Sequence, residues 1–377
     1  MYFSEVIGQQ ALKDKLRRET AEGRVPHAML FCGAPGYGTL ALALAYAQYL
    51  LCPCRSAEDS CGACPSCRQV TRLEHPDLHF VFPNQKKSAR TKAEDSLCAH
   101  WQAEWRDFLK GGPYVRLDAW LEAMGAKGQA LIYAGEAADL VRKMNIASSA
   151  GGYKVVIIWY PERMNEACAN KLLKLLEEPP GQSAFILVSE APERLLPTIV
   201  SRTQRILVPR IGEADIAAAL GSRFVLDPAA AGAAAHRSGG DFIEALSALS
   251  ATGEEKAWFD RFVELMRLAY TRNARGMKAW SEKLADLPRE QEKAFLLYSQ
   301  RMLRENFVYN FHCPQMVYMS PAEQQFAVRF APFINERNCI GIMEELELAL
   351  RHVEQNVNAK MVFFDLALQI AVLIRHR

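Results

Sequence analysis

The chain has 377 residues, of which 50% are hydrophobic and 23% are charged, and its formal net charge at pH 7 is +2. This composition excludes an intrinsically disordered chain, and the small net charge gives no global reason to expect a polyanionic partner. The length predicts two or three domains. The first residues lack the pattern of a secretory signal and no apolar run is long enough to span a membrane, so we expect a cytoplasmic protein.

Short apolar runs alternate with helical patterns over the first two hundred residues, which favours an α/β domain with a parallel sheet at 1–209. Residues 84–130 interrupt this alternation with charged and aromatic segments, and we interpret them as an insertion. Two helical regions are predicted to follow, a small one at 210–252 and a larger one at 253–377. The predicted strands are 28–32, 78–82, 154–159 and 184–189, and the clearest predicted helix is 39–51.

Residues 33–38 read Gly-Ala-Pro-Gly-Tyr-Gly, which is the glycine spacing of a phosphate-binding P-loop between a strand and a helix. In a working P-loop the next two residues are a lysine that reaches the phosphates and a serine or threonine that holds Mg²⁺. Here Thr39 carries no charge and Leu40 has no side-chain oxygen. We therefore expect no ATP at this loop, and an ordinary strand–helix turn is the alternative. The residues of the degenerate loop are Gly33, Gly36, Gly38 and Thr39.

The second half of a nucleotide site is altered as well. The apolar strand 154–159 should end in an aspartate that holds Mg²⁺ and a glutamate that polarises water, but Trp159 and Tyr160 stand at those positions. Glu162 follows two residues later and is expected to point elsewhere. The loss of both halves argues against ATP hydrolysis by this chain.

The segment 52–67 is rich in cysteine. Its C-x2-C-x2-C core brings three thiolates within reach of one ion, and a fourth cysteine upstream would complete the tetrahedron of a structural zinc site. Cys52 and Cys54 compete for that fourth position. Free thiols, a disulfide pair and an iron–sulfur cluster are the alternatives, which a reducing compartment and the lack of other redox signals disfavour. The five cysteines are Cys52, Cys54, Cys61, Cys64 and Cys67.

Several stretches together resemble the AAA+ clamp-loader subunits of bacterial DNA replication, and most closely their delta-prime group. They follow the family's order along residues 4–210, apart from the insertion, and EQNVNAK before the last helix matches more loosely. The VIGQQ stretch looks like the box that lines the adenine pocket in this family. The stretches are VIGQQ at 6–10, RVPHAMLFCGAPGYG at 24–38, HPDLHFVFP at 75–83, NKLLKLLEEPP at 170–180, FILVSE at 185–190 and LLPTIVSRTQRI at 195–206.

The resemblance implies an AAA+ domain with a zinc module at about 52–67, a small helical lid domain and a C-terminal helical collar domain. The family's spacing from the loop to the first cysteine favours Cys52 over Cys54 as the fourth ligand. The implied cofactor is structural Zn²⁺, with no ATP, and the implied ligands are Cys52, Cys61, Cys64 and Cys67.

The resemblance also gives a role to Ser201, Arg202 and Thr203. In the family, a Ser-Arg-Cys motif projects an arginine finger at the nucleotide of the neighbouring subunit, and a guanidinium suits this task because it is permanently charged and forks two donors onto a phosphate. Thr203 stands where the family usually has cysteine, which leaves the charge of Arg202 unaffected. A sensor arginine of the lid domain is replaced by Ile243 at about the corresponding position.

These features imply a non-catalytic subunit of the DNA polymerase III clamp loader. The implied partners are the ATP-binding gamma/tau subunits and the delta subunit, and through the complex the sliding clamp and primed DNA. An active clamp-loader ATPase and a zinc-dependent nucleic-acid-binding protein are the rival functions, whereas nothing near the cysteines supports a metal-dependent enzyme. A basic stretch could touch DNA phosphates or be a solvated loop. Its residues are Lys86, Lys87, Arg90 and Lys92.

Overall fold

The protein forms two compact units, Met1–Leu246 and Ser247–Arg377. Within the described parts of the chain, no helix is both long enough and apolar enough to cross a lipid bilayer. The computed structural model describes residues 1–87, 96–126, 128–149, 151–224, 226–250, 254–313 and 316–375.

The first unit is built on a five-stranded parallel sheet with the strand order β2-β3-β4-β1-β5. The three central strands β3, β4 and β1 are buried along their whole length, as is typical of parallel strands covered on both faces. The segment after β1 leaves the carboxyl edge of the sheet between two neighbouring strands, where open parallel sheets commonly bind ligands. The strands are β1 (Ala28–Cys32), β2 (Leu78–Val81), β3 (Lys154–Trp159), β4 (Ser183–Ser189) and β5 (Gln204–Leu207).

Helices flank this sheet and connect its strands. The division between the two units falls inside α11, after Leu246. The helices are α1 (Gln10–Ala21), α2 (Thr39–Leu51), α3 (Pro65–Thr71), α4 (Gln102–Leu109), α5 (Leu117–Ala123), α6 (Ala134–Asn145), α7 (Glu166–Glu177), α8 (Pro197–Val200), α9 (Glu213–Phe224), α10 (Pro228–Arg237) and α11 (Phe242–Ser250).

Helix α2 follows the glycine-rich loop and is buried at all thirteen of its positions. It packs against β3 and β4 of the sheet and also contacts α1 and α3, so no face of it meets solvent, which matches its Ala- and Leu-rich sequence. Its polar residue Gln48 is satisfied, because its side-chain amide donates to Ser60 Oγ at 3.0 Å and its carbonyl oxygen accepts from the amino group of Met1 at 3.0 Å.

The two ends of the predicted insertion lie next to each other. Asn84 and Leu131 are bridged by two backbone hydrogen bonds of 2.9 and 3.0 Å. Between them, α4 and α5 bring aromatic side chains against the ends of β2 and β3, and the Trp120 indole donates to the carbonyl oxygen of Pro83 at 2.8 Å. We call the resulting group of rings the aromatic cluster; it consists of Phe80, Phe82, Trp105, Phe108, Trp120 and Trp159.

The second unit is helical over its described residues. Its core is apolar and rich in aromatic rings, among them Trp280, Phe295 and Phe363, whose centroids lie 5.8 to 6.4 Å apart. The helices are α12 (Glu254–Thr271), α13 (Ala274–Ala285), α14 (Arg289–Tyr309), α15 (Pro321–Phe330), α16 (Cys339–Glu354) and α17 (Ala359–Leu373).

The predicted fold class is confirmed, since a parallel α/β unit is followed by a helical region. Strands β1 and β3 and helix α2 have the predicted bounds, whereas β2 ends one residue earlier and β4 begins one residue earlier. The edge strand β5 was not among the predicted strands. It is only four residues long and three of them are exposed, so it lacks a continuous apolar run. The boundaries at 209/210 and 252/253 stay predictions.

One histidine of the sheet should make the first unit sensitive to acid. Burial lowers the pKa of His79 on β2 to about 4, and the charges of Lys143 and Lys154 act in the same direction. A histidine in the unfolded chain has a pKa of about 6.5, so between these values the unfolded chain binds more protons and stability falls as the pH falls from about 6.5 to 4. We expect His79→Gln to reduce this loss, measured as the thermal midpoint from pH 7.5 to pH 5.

The control is His100→Gln, which changes an exposed histidine of the same unit. It should keep the acid sensitivity of the unchanged protein. An equal loss of stability with acid in the His79 and His100 variants would contradict the assignment to His79.

Candidate functional site

The glycine-rich loop lies between β1 and α2, as the sequence predicts. Residues Pro35–Tyr37 form a short 3-10 turn, and Gly38 takes a left-handed conformation with φ +84° that starts α2. Thr39 and Leu40 are each only 2% exposed. The side chains that replace the lysine and the magnesium-binding hydroxyl therefore belong to the packed interior of the unit.

Side chains from distant parts of the unit lie directly against this loop. A β-carbon added at Gly36 would be 1.6 Å from Asp241 Oδ1, and one added at Gly38 would be 3.1 Å from Tyr114 Cε1. A β-carbon at Gly33 would be 2.6 Å from the carbonyl oxygen of Val208. Close protein atoms therefore favour glycine at positions 33 and 36, and the left-handed backbone favours it at position 38.

The carboxyl end of β3 carries rings instead of carboxylates. Trp159 is 2% exposed and lies 5.1 Å from the ring of Trp105 in the aromatic cluster, and Tyr160 packs edge-on against Trp159 at 4.7 Å. Glu162 turns to the segment after β4, where its Oε1 accepts hydrogen bonds from the backbone N–H groups of Glu190 and Ala191 at 3.1 and 3.3 Å. The expectation that Glu162 points away from a Mg²⁺ position agrees with this geometry.

The stretch 6–10 lies beside the loop. The side chain of Gln9 donates to the carbonyl oxygens of Tyr37 in the loop and Pro209 after β5, at 3.1 and 2.6 Å. The buried ammonium of Lys13 donates to the carbonyl oxygen of Val6 at 2.6 Å, and burial lowers the pKa of Lys13. These bonds fix the N-terminal stretch against the edge of the sheet.

Arg202 lies between α8 and β5, and its side chain is 35% exposed. Its guanidinium donates to Glu177 Oε1 at 2.6 Å and to the carbonyl oxygen of Thr198 at 3.0 Å. Ser201 and Thr203 donate their hydroxyls to backbone carbonyl oxygens of the preceding turn, both at 3.1 Å. The two neighbours of Arg202 therefore shape the turn, while Arg202 itself reaches the surface.

The structure brings together the four cysteines that the family resemblance implies. The sulfur atoms of Cys52, Cys61, Cys64 and Cys67 all lie within 4.8 Å of one another, whereas Cys54 is exposed and outside this group. Backbone N–H groups donate hydrogen bonds to three of the sulfurs, with N–S distances of 3.4 Å each. Hydrogen bonds from the N–H groups of Cys64 and Ala63 lower the pKa of Cys61 to about 6.

This donor set fits zinc. Four sulfur ligands suit a tetrahedral site, and the N–H groups around them stabilise thiolates. Because all four positions are filled by protein sulfurs, the set resembles a structural site rather than a catalytic one, which keeps a position for water.

The basic stretch is only partly described. The Lys87 ammonium bonds the carbonyl oxygen of His100 at 2.8 Å, pairs with Glu104 and lies 4.9 Å from the ring centroid of Trp101. Arg90 and Lys92 fall outside the described residues. Lys87 is thus engaged within the insertion, which favours its interpretation as part of the fold over a phosphate contact.

Comparison with known proteins finds a matching family. The family described as DNA polymerase III, delta subunit, matches residues 8–211, more than half of the chain. The chain belongs to this family. The resemblance to the delta-prime group of clamp-loader subunits is confirmed by its relatives.

The chain is 32% identical over 180 residues to DNA polymerase III subunit delta' of Yersinia pestis, which is 48% of this chain and 41% of the relative. It is 31% identical over 189 residues to the same subunit of Escherichia coli K12, covering 50% of this chain and 44% of the relative. It is also 27% identical over 200 residues to DNA polymerase III subunit tau of Escherichia coli K12, covering 53% and 24%. The matches to the delta' relatives thus span less than half of their length.

Sequence reasoning missed Tyr114 and Asp241, whose side chains lie against the loop, Arg116, which pairs with Asp241, and the carboxylate of Glu177 that pairs with Arg202. Asp241 follows two glycines and precedes an apolar helix, which is the signature of a helix N-cap. That signal could have located the start of α11, but it does not indicate which loop the carboxylate contacts.

Proposed function

We propose that this protein is a non-catalytic clamp-loader subunit of the bacterial cytoplasm. In this role it neither holds nor hydrolyses ATP, and Arg202 acts on a nucleotide bound by a neighbouring ATPase subunit of the gamma/tau kind. A delta subunit completes the ring, which loads the sliding clamp onto primed DNA. The family membership and the replaced residues Thr39, Leu40 and Trp159 support this role.

The placement of Arg202 carries the argument for action on another subunit. Strands β1 and β5 are parallel, with Met29 opposite Gln204 and Cys32 opposite Leu207. Arg202 precedes the amino end of β5, whereas the glycine-rich loop follows the carboxyl end of β1. About 13 Å of strand separate the two, more than an arginine side chain extends, so any phosphate that Arg202 meets comes from elsewhere than its own loop.

The second unit offers a surface for assembly. Helix α17 buries one face in the core and exposes apolar side chains on another, with Met361 70%, Leu368 38% and Val372 56% exposed. Apolar side chains exposed together on one helix are typical of protein–protein contacts. They support the proposed collar role of this unit.

The proposed lack of catalysis is tested on the isolated chain. We expect no ATP turnover and no saturable binding of a fluorescent ATP analogue with Mg²⁺, because the loop has no cation to meet the triphosphate. A mock purification from cells that do not express the chain controls for a contaminating ATPase. Turnover that stays with the chain at a constant specific activity through successive purification steps, and that is missing from the mock preparation, would disprove the proposal.

A further inference from the structure

A carboxylate of the chain itself lies directly against the glycine-rich loop. Asp241 Oδ1 is so close to Gly36 that no β-carbon fits between them. The same oxygen accepts hydrogen bonds from the N–H groups of Ile243 and Glu244 at 2.8 and 3.1 Å, so the start of α11 holds it in place. A glycine-rich loop before a helix favours an anion, and here a carboxylate of the chain lies against the loop.

The insertion fixes this carboxylate from the opposite side. The guanidinium of Arg116 pairs with Asp241 Oδ2 at 3.4 Å and with Glu244 Oε1 at 2.6 Å. Arg116 thereby supplies a positive charge beside the carboxylate that lies against the loop. Arg116, Asp241 and Glu244 thus form a network of charged side chains beside the loop.

An aromatic ring of the insertion lies against the last glycine of the loop. Tyr114 is 8% exposed, its ring lies against Gly38, and its hydroxyl oxygen accepts a hydrogen bond from the backbone N–H of Ile7 at 2.8 Å. The ring packs edge-on against Phe242 at 4.9 Å, and the Arg223 guanidinium lies 5.9 Å from its centroid. One tyrosine thus connects the loop, the N-terminal stretch and α11.

We propose that residues 113–116 and Asp241 form a built-in plug that fills the ligand side of the glycine-rich loop and holds it in shape without a nucleotide. The proposal gives the insertion a role, since Tyr114 and Arg116 lie between its helices α4 and α5. The plug extends the proposed function and rests on one part of it, namely that the loop carries no nucleotide. The glycines of the loop persist because protein atoms approach them, rather than phosphates.

Hydrogen exchange of the full chain tests the plug. Tyr114→Ala should speed the exchange of the amides of Ile7 and of residues 36–39 by about 10-fold or more, because the ring that covers them is gone. The matched control is Trp101→Ala, which removes a buried ring from the other end of the insertion and should leave those amides unchanged. Unchanged exchange at 36–39 in a folded Tyr114→Ala variant would overturn the proposal.

A conservative variant keeps the test decisive if Tyr114→Ala does not fold. Tyr114→Phe keeps the ring and removes the oxygen that accepts from Ile7, so the Ile7 amide should exchange roughly 2- to 12-fold faster while residues 36–39 stay protected. An Ile7 amide that exchanges as slowly as before would overturn the plug.

Repeating the exchange with ATP and Mg²⁺ separates the plug from the proposed function. Both proposals expect no added protection of the loop in the unchanged protein. Protection by ATP would overturn both proposals, whereas unchanged slow exchange of residues 36–39 in Tyr114→Ala, without any effect of ATP, would overturn the plug alone.

Discussion

Replacing Arg202 by alanine should lower the DNA-stimulated ATPase of the assembled clamp loader by about 100-fold or more, although we propose that this chain itself hydrolyses no ATP. An arginine finger stabilises the charge that develops on the transferred phosphoryl group and contributes on the order of 10³–10⁵ in rate in other systems. The variant should fold normally, because the pair between Arg202 and Glu177 is partly exposed and such pairs contribute about 0–1 kcal/mol to stability. The measurement is steady-state ATPase of the reconstituted complex with primed DNA and the sliding clamp.

Two variants separate the role of Arg202 from a general effect of charge. Arg202→Lys keeps the positive charge but loses the planar fork, so its rate should lie between those of the unchanged protein and the alanine variant. Arg194→Ala removes an exposed arginine of the segment before α8 and should leave the rate unchanged. The assignment fails if Arg202→Ala assembles into the complex and supports full ATPase.

Loss of the metal should unfold the cysteine segment. We expect one zinc per chain in the purified protein, measured by elemental analysis, and loss of that zinc in Cys61→Ser. The thermal midpoint should fall by roughly 5 °C or more, since structural zinc contributes folding free energy and each kcal/mol corresponds to about 2–4 °C in a domain of this size. Proteolysis within 52–67 should become faster.

Cys54→Ser provides the matched control for this experiment. Its sulfur lies outside the four-sulfur group, so the variant should keep its zinc and its thermal midpoint. Equal zinc content in Cys61→Ser and the unchanged protein would contradict the proposed ligand set. Loss of zinc in Cys54→Ser would show that Cys54 takes part as well.

Local sequence patterns predicted the helix and strands that are buried along their whole length. The continuous apolar runs of β1 and β3 and the Ala- and Leu-rich α2 are buried on all sides, so their sequence alone marks their bounds. The cysteine spacing predicted that Cys61, Cys64 and Cys67 come together. This was possible because the three residues lie within one short segment of the sequence. The edge strand β5 escaped prediction because exposed residues interrupt its pattern.

The contacts at the loop could not be predicted in this way. Gly36, Tyr114 and Asp241 lie far apart in the sequence, and they come together because the insertion and the start of α11 both lie against the loop after β1. No periodicity or spacing relates them. Local sequence patterns specify single elements, whereas a contact of this kind depends on the complete fold.

The close approach of Asp241 to Gly36 has a consequence for how genomes are searched. Glycine spacing in a strand–loop–helix segment persists wherever a neighbouring atom leaves no room for a side chain, whatever that atom belongs to. A search that scores glycines alone would therefore group this chain with working ATPases. The two residues after the last glycine separate them, since Thr39 and Leu40 provide neither the charge nor the magnesium ligand.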